Sequence, residues 1–256
     1  MSQQPDFIDV SHWNGPINWP LVAGTGILGV IAKATDGSSY VDNTYQQNRA
    51  GALAAGLSFA SYHYLQHGDA DRQMRFYLEK ATPRQGERVV IDYEEGDPAV
   101  TMADLELAVL TIRAQRPDLQ ITVYGASMLT EHCNACEDVS FLTETSLWAA
   151  RYSEVNQPVV ADPPWSYWSA WQFTDAGRIK GINGEVDLNT FNGSSEACLA
   201  WFGPVAEVIP EPPRPSPTPD GAVSQILRAY GRDVSVSIEP DGTISFWVDG
   251  QPWHDG

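Results

Sequence analysis

The chain has 256 residues, 43% of them apolar and 19% charged, which describes a folded globular chain with room for one large domain and a full core. Its formal net charge is −18, with only 15 Lys and Arg and no basic run, and this excludes nucleic acid or an anionic membrane surface as the main partner. No run of 18 apolar residues exists, so no transmembrane helix is expected.

Residues 1–6 have neither a basic start nor an apolar stretch, and no signal peptide is expected. Phe7-Ile8-Asp9-Val10-Ser11 reads as a short strand with an acid near its end. His12-Trp13-Asn14-Gly15-Pro16 has turn chemistry, and Trp19-Pro20 opens a short helical turn. Residues 26–34 form a second buried strand carrying Lys33 near its end. Residues 43–55 read as an alanine-rich helix closed by Gly56, and 57–65 as a third strand ending in Tyr62, His63 and Tyr64. A polar-faced helix is expected over 69–80.

Next comes Val89-Val90-Ile91-Asp92-Tyr93-Glu94-Glu95-Gly96. Three apolar β-formers run into acids, and a glycine ends the run. This is a buried strand delivering carboxylates at its C-terminal end. Side chains alternate along a strand, so Asp92 and Glu94 share a face, about 6.7 Å apart at the backbone. Two carboxyls that close would repel, and burial would raise at least one pKa. Glycosidases need such a pair, one acid protonated and one ionised. The bland alternative is a solvated acidic loop.

Thr101 and Asp104 have capping-box spacing for a helix reaching about Arg116. Strands follow at 119–124, 146–150 and 168–173, with a helix over 127–133, and Val186-Asp187-Leu188-Asn189 lies close behind the last strand. Strands alternating with helices over 7–200 predict a largely parallel α/β sheet, closed or nearly closed as an irregular TIM-like β/α barrel. Its C-terminal strand ends would gather Asp9, Lys33, Tyr62, Asp92, Glu94, Tyr124, Arg151 and Asp187 on one face.

The catalytic barrel is expected to span 6–203. A proline-rich linker covers 204–219 and a small module 220–256, read as a helix over 222–230 followed by a hairpin from 234–238 and 244–248. That module is marginal alone, and packing, oligomerisation or wall binding are its open roles. Of three cysteines, Cys133 and Cys136 make one C-x-x-C beside His132, which completes no four-ligand set; neither a metal nor a cofactor is expected. Nine Trp favour a largely neutral polymer as partner, because aromatic faces stack on sugar rings, although most of them suit a core.

With these residues in view, the chain resembles the glycoside hydrolase family 25 lysozymes, N-acetylmuramidases that include many phage endolysins. The likeness runs over residues 6–203. It rests on Asp9-Val10-Ser11 with Gly15, Lys33-Ala34-Thr35-Asp36-Gly37, Tyr62-His63-Tyr64, Asp92-Tyr93-Glu94, Trp148 with Arg151-Tyr152, Trp171-Gln172-Phe173-Thr174 and Val186-Asp187-Leu188-Asn189. Asp36 departs from the family's frequent Glu. The resemblance implies an irregular β/α barrel that cleaves the β-1,4 bond between N-acetylmuramic acid and N-acetylglucosamine. It implies Glu94 as general acid and Asp92 as the acid stabilising the positive intermediate. Asp9, Asp187, Tyr62, Tyr124, Lys33, Arg151 and Trp171 become candidate substrate contacts. Asp9 and Asp187 could instead be loop caps, Lys33 and Arg151 structural ion pairs, and Tyr62 and Tyr124 closures of the barrel top. His63 fits a satisfied core histidine as well as a ligand contact. The expected partner is peptidoglycan, met at the wall after release from a host cytoplasm. A chitinase-like hydrolase and a wall-binding or virion protein with a silent barrel are the competing readings.

Overall fold

The computed structural model describes residues 4–153 and 156–204, and the backbone of four further strands between 223 and 252. The chain divides into two compact units, Met1–Val205 and Ala206–Gly256.

In the first unit, eight strands close into a barrel: β1 (Phe7–Val10), β2 (Gly29–Asp36), β4 (Ser58–Tyr64), β5 (Arg88–Asp92), β6 (Gln120–Gly125), β7 (Ser146–Ala150), β8 (Ala170–Gly177) and β9 (Val186–Phe191). A two-residue strand, β3 (Tyr40–Val41), folds back on the end of β2. From β1 through β8 the barrel strands pair in parallel. β9 runs antiparallel to both β8 and β1 and closes the ring. The reason is chain length. Only eight residues separate Gly177 from Val186, whereas a parallel crossover needs a dozen or more, so the chain must turn straight back. The closed, mostly parallel barrel is the architecture expected from the alternating pattern.

Helices α1 (Trp19–Ala23), α2 (Tyr45–Ala54), α3 (Ala70–Ala81), α4 (Met102–Gln115) and α5 (Ser127–Ala135) occupy the connections. Their ends follow local chemistry. Asn18 caps α1, Asp69 caps α3, and Thr101 with Asp104 completes a reciprocal capping box on α4. The larger core lies between the strands' outer faces and this helical layer. A second core fills the barrel itself, with Phe7, Ile31, Ala60, Val90 and Trp148 pointing inward.

The last helix of this unit, α6 (Ser195–Phe202), stops the bottom of the barrel with Cys198, Trp201 and Phe202. Phe7 meets Trp148 and Phe202 edge-on at 5.8 and 5.5 Å. Arg88 is buried in the same plug, donating to Thr122 Oγ1 at 2.7 Å, Ser146 Oγ at 2.9 Å, Gln120 Oε1 at 2.8 Å and the Trp201 carbonyl. Burial lowers its pKa to about 9, and neutral acceptors satisfy it. The bottom is therefore sealed, and the strand C-termini form the open mouth.

In the second unit, β10 (Val223–Ala229), β11 (Arg232–Ile238), β12 (Ile244–Val248) and β13 (Gln251–Pro252) form an antiparallel meander. The hairpin of β11 and β12 is as expected, but the expected helix over 222–230 is a strand. A helix this short has little stability of its own, and here seven residues pair in register with β11. The proline-rich stretch falls outside the described residues, apart from Pro204.

Candidate active site

β5 is buried along its whole length and ends on Asp92. Tyr93 turns outward into the helical layer, with its hydroxyl 2.7 Å from His132 Nδ1. Asp92 and Glu94 turn inward to the mouth of the barrel. They line a cleft of about 160 Å3 with Asp9, Asp187, Tyr62, Tyr124, Trp148, Tyr152 and Gln172. Six of the nine expected site residues thus meet in one place.

Antiparallel pairing of β1 with β9 sets Asp9 directly opposite Asp187. Two carboxyls facing each other in a partly dry cleft cannot both ionise cheaply. Burial and the Asp9 charge push Asp187 up to about 9, so at neutral pH it holds its proton and hydrogen-bonds to Asp9. Asp9 Oδ2 also accepts from Gln172 Nε2 at 3.0 Å and Asn189 Nδ2 at 2.8 Å. Those amides are held in turn: Tyr124 donates to Gln172 Oε1 at 2.7 Å, and Trp148 Nε1 donates to Asn189 Oδ1 at 2.8 Å. Burial raises the Asp9 pKa too, but the bonds from Asn189, Gln172 and Asp187 oppose that rise, so Asp9 is the member of the pair that gives up its proton first.

Asp92 differs. Its Oδ1 is buried and has no hydrogen-bond partner. Burial, then the Glu94 charge, raises its pKa well above the ordinary carboxylate range, opposed by Lys33. Glu94 is raised too, by burial and then by the Asp9 charge, against the nearby Tyr124 hydroxyl and the Lys33 charge. The pair keeps a proton at pH values where isolated carboxyls have lost theirs. Tyr62 and Tyr124 are raised by burial and then by the nearby acids, so both remain neutral donors.

Three expected contacts lie elsewhere. Lys33 sits beside the cleft, paired with Asp36 Oδ2 at 2.8 Å, and reaches the acids only through its field. The Arg151 guanidinium turns away to the Gln157 carbonyl at 3.0 Å. Trp171 is buried on the other face of β8 and donates its indole N–H to the Arg151 carbonyl, so it offers no open ring to a ligand. The physical reason is parity: Gln172 faces inward, which points Trp171 and Phe173 outward. His63 is a satisfied core histidine, bonded to Thr35 Oγ1 and Gln73 Oε1 and lowered to about 4 by burial. Gln172, Asn189, Trp148 and Tyr152 are site residues to which the sequence reading gave no role. Gln172 and Asn189 carried one usable signal, since both are uncharged polar residues inside buried strands. Among the described residues, no cluster of three or more His, Cys, Asp or Glu is placed to hold a metal ion.

An acid-lined cleft at the C-terminal mouth of a β/α barrel is the arrangement of a carboxylate-driven glycosidase. The sequence matches glycosyl hydrolases family 25 over residues 8–182, and the chain belongs to that family. It is 26% identical over 209 residues to Lysozyme M1 of Streptomyces globisporus, covering 75% of this chain and 69% of that protein. It is 31% identical over 210 residues to the uncharacterized protein YegX of Escherichia coli O6:H1, covering 78% and 74%. Among solved structures, the bacterial lysozyme of Streptomyces coelicolor superposes with a TM-score of 0.68 at 24% identity, covering 79% of this chain and 98% of that one. The family match ends before β9, which supplies Asp187 and Asn189.

Proposed function

We propose that this glycoside hydrolase is a muramidase, cleaving the β-1,4 bond between N-acetylmuramic acid and N-acetylglucosamine in peptidoglycan, with Glu94 and Asp92 as its working acids. The observation that carries the roles is the unpartnered Asp92 Oδ1, buried beside a second acid whose pKa is also raised. A buried oxygen without a donor is costly, and a substrate N–H relieves it. The acetamido group of an N-acetylated sugar supplies that N–H. Its donation favours ionised Asp92 and leaves the shared proton on Glu94.

Glu94 then gives this proton to the glycosidic oxygen as the bond from C1 to that oxygen breaks. The acetamido carbonyl oxygen closes on C1, with its N–H held by Asp92. A water next attacks C1, passing its proton to the Glu94 carboxylate and opening the temporary ring. No protein nucleophile is needed, and the anomeric configuration is retained. The Asp9–Asp187 pair would bind polar groups of the same sugar strand, and the site of action would be the bacterial wall.

Two measurements test this reading. Mass spectrometry of borohydride-reduced digests should show reduced muramic acid ends. Reduced glucosamine ends would assign the other bond, and no ends from folded protein would reject the reaction. Glu94→Gln should lower turnover by about a hundredfold or more with the fold intact; activity near wild type would remove Glu94 from its role.

A further inference from the structure

Trp13 is the most exposed large hydrophobic side chain of the described residues, at 85%. It does not hang on a loose loop. It sits in the 3-10 turn His12–Asn14, directly after β1 and four residues beyond Asp9. Ser11 accepts from the Trp13 amide, and the Asn14 side chain accepts from the Ser11 amide at 2.8 Å, forming a reciprocal capping box. Asn14 Nδ2 ties the turn to the Glu185 carbonyl at 3.2 Å.

Behind the indole, the His12 ring lies at 4.5 Å between centroids. His12 is anchored through its amide and its Nδ1 to Asp42, at 3.0 and 2.8 Å, and Asp42 is itself held by Thr44. Tyr40, 42% exposed, continues the row, with its hydroxyl 3.3 Å from His12 Nδ1. Lys33 lies over the rings of Tyr40 and Tyr64 at 5.8 and 4.9 Å, which joins the row to the wall of the mouth. Four residues span at most about 14 Å of extended chain, so the indole stands within a short run of sugar rings of Asp9.

We propose that Trp13, backed by His12 and Tyr40, is a saccharide-stacking platform that holds a sugar unit of the glycan outside the reaction centre. The inference rests on this chain's acting on a glycan. A rigid indole presents a flat apolar face at low entropic cost, and the C–H face of a pyranose is the matching surface. A turn braced by a capping box, a cross-loop amide bond and an anchored imidazole is more support than a chance surface Trp requires. The row starts just past the end of β1, the strand that carries Asp9 into the cleft, which commits its occupant to the same glycan strand. The platform is a positioning device: it sets affinity for long strands and touches no reacting atom.

The test uses the full chain with Trp13→Ala and Trp13→Phe, and two substrates: peptide-free glycan strands and a tetrasaccharide of two disaccharide repeats. Losing one stacked face should reduce the ratio of kcat/KM for long strands to that for the tetrasaccharide about tenfold, through KM. Trp13→Phe should restore most of it. An unchanged ratio in Trp13→Ala, or a loss confined to kcat, would overturn the platform. Independently, intrinsic fluorescence of the Glu94→Gln variant should respond to added peptide-free strands, and the response should weaken when Trp13→Ala is combined with it. An equal response with and without Trp13 would also overturn the platform. If wild type binds these strands through Trp13 but releases no muramic acid ends, the reaction assigned above fails and the platform stands.

Discussion

Asp187→Asn should stabilise the protein at neutral pH, although it changes a residue in the cleft. Folding raises the Asp187 pKa from 3.8 to about 9. Between those values the folded protein binds a proton that the unfolded chain does not. Stability therefore falls as pH rises through that window, by about 1.36 kcal/mol per pH unit for one proton. From pH 5 to pH 7 the wild type should lose up to about 3 kcal/mol from this source, an upper figure because the cleft is open to water. The amide has no proton to lose, and it can still donate to Asp9. Urea denaturation of both proteins at pH 5 and pH 7 measures the effect. The stability advantage of Asp187→Asn should grow by one to three kcal/mol between the two pH values, in order of magnitude. An advantage that does not change with pH would mean that Asp187 is already ionised in the fold, and the proton placement in the Asp9 pair would be wrong.

Three further outcomes follow from particular contacts. Asp92→Asn should reduce turnover more on substrates carrying the acetamido group than on analogues lacking it; equal losses measured on both would remove substrate assistance. Gly51→Ala should destabilise by about 1–3 kcal/mol, although alanine normally favours a helix interior, because the new Cβ would fall 2.1 Å from Trp19 Cδ1; thermal unfolding decides the sign. Asp104→Asn removes a capping carboxylate that also meets His67 Nδ1 at 2.9 Å. Burial opposes its charged form, but the bonds from Thr101 and His67 outweigh this and lower its pKa. Its stabilisation is present above the unfolded value near 4 and is lost as pH falls through the lower folded value. The variant should cost about 1–2 kcal/mol at pH 7 and less near pH 3, read by denaturation at both.

Much of the architecture was legible because apolar runs and turn residues alternate at barrel spacing. The acids at the end of β5 were legible because an apolar strand running into Asp92 and Glu94 has no easy structural excuse. Asp9 and Asp187 could be named, but not paired, because their opposition depends on the register of β9 against β1. The amides that fix Asp9 come from that register too, since Gln172 and Asn189 face each other across β8 and β9. The outward direction of Trp171 was not legible because residues 170–173 of β8 are buried on both faces, so apolar character does not reveal which neighbour points inward. The direction of Arg151 was not legible because it lies past the end of β7, where strand parity no longer fixes it. The segment from Val223 to Ala229 has mixed propensity, and its hairpin partner decides its state.

The late, antiparallel β9 has a consequence for how the protein is made. Asn189 lies 180 residues after Asp9, and their bond belongs to the seam that closes the ring. Contacts this distant in sequence are slow to form, and a chain leaving the ribosome cannot form them until its final barrel strand has emerged. Until then β1 lacks its antiparallel neighbour, β8 is an open edge, and Asp9 has neither Asn189 nor Asp187 beside it. An interrupted chain ending before Val186 would have exposed edges prone to pairing with other chains. It would also lack the Asp9–Asp187 half of the cleft, so the order of synthesis itself delays assembly of the complete site until the fold is nearly finished.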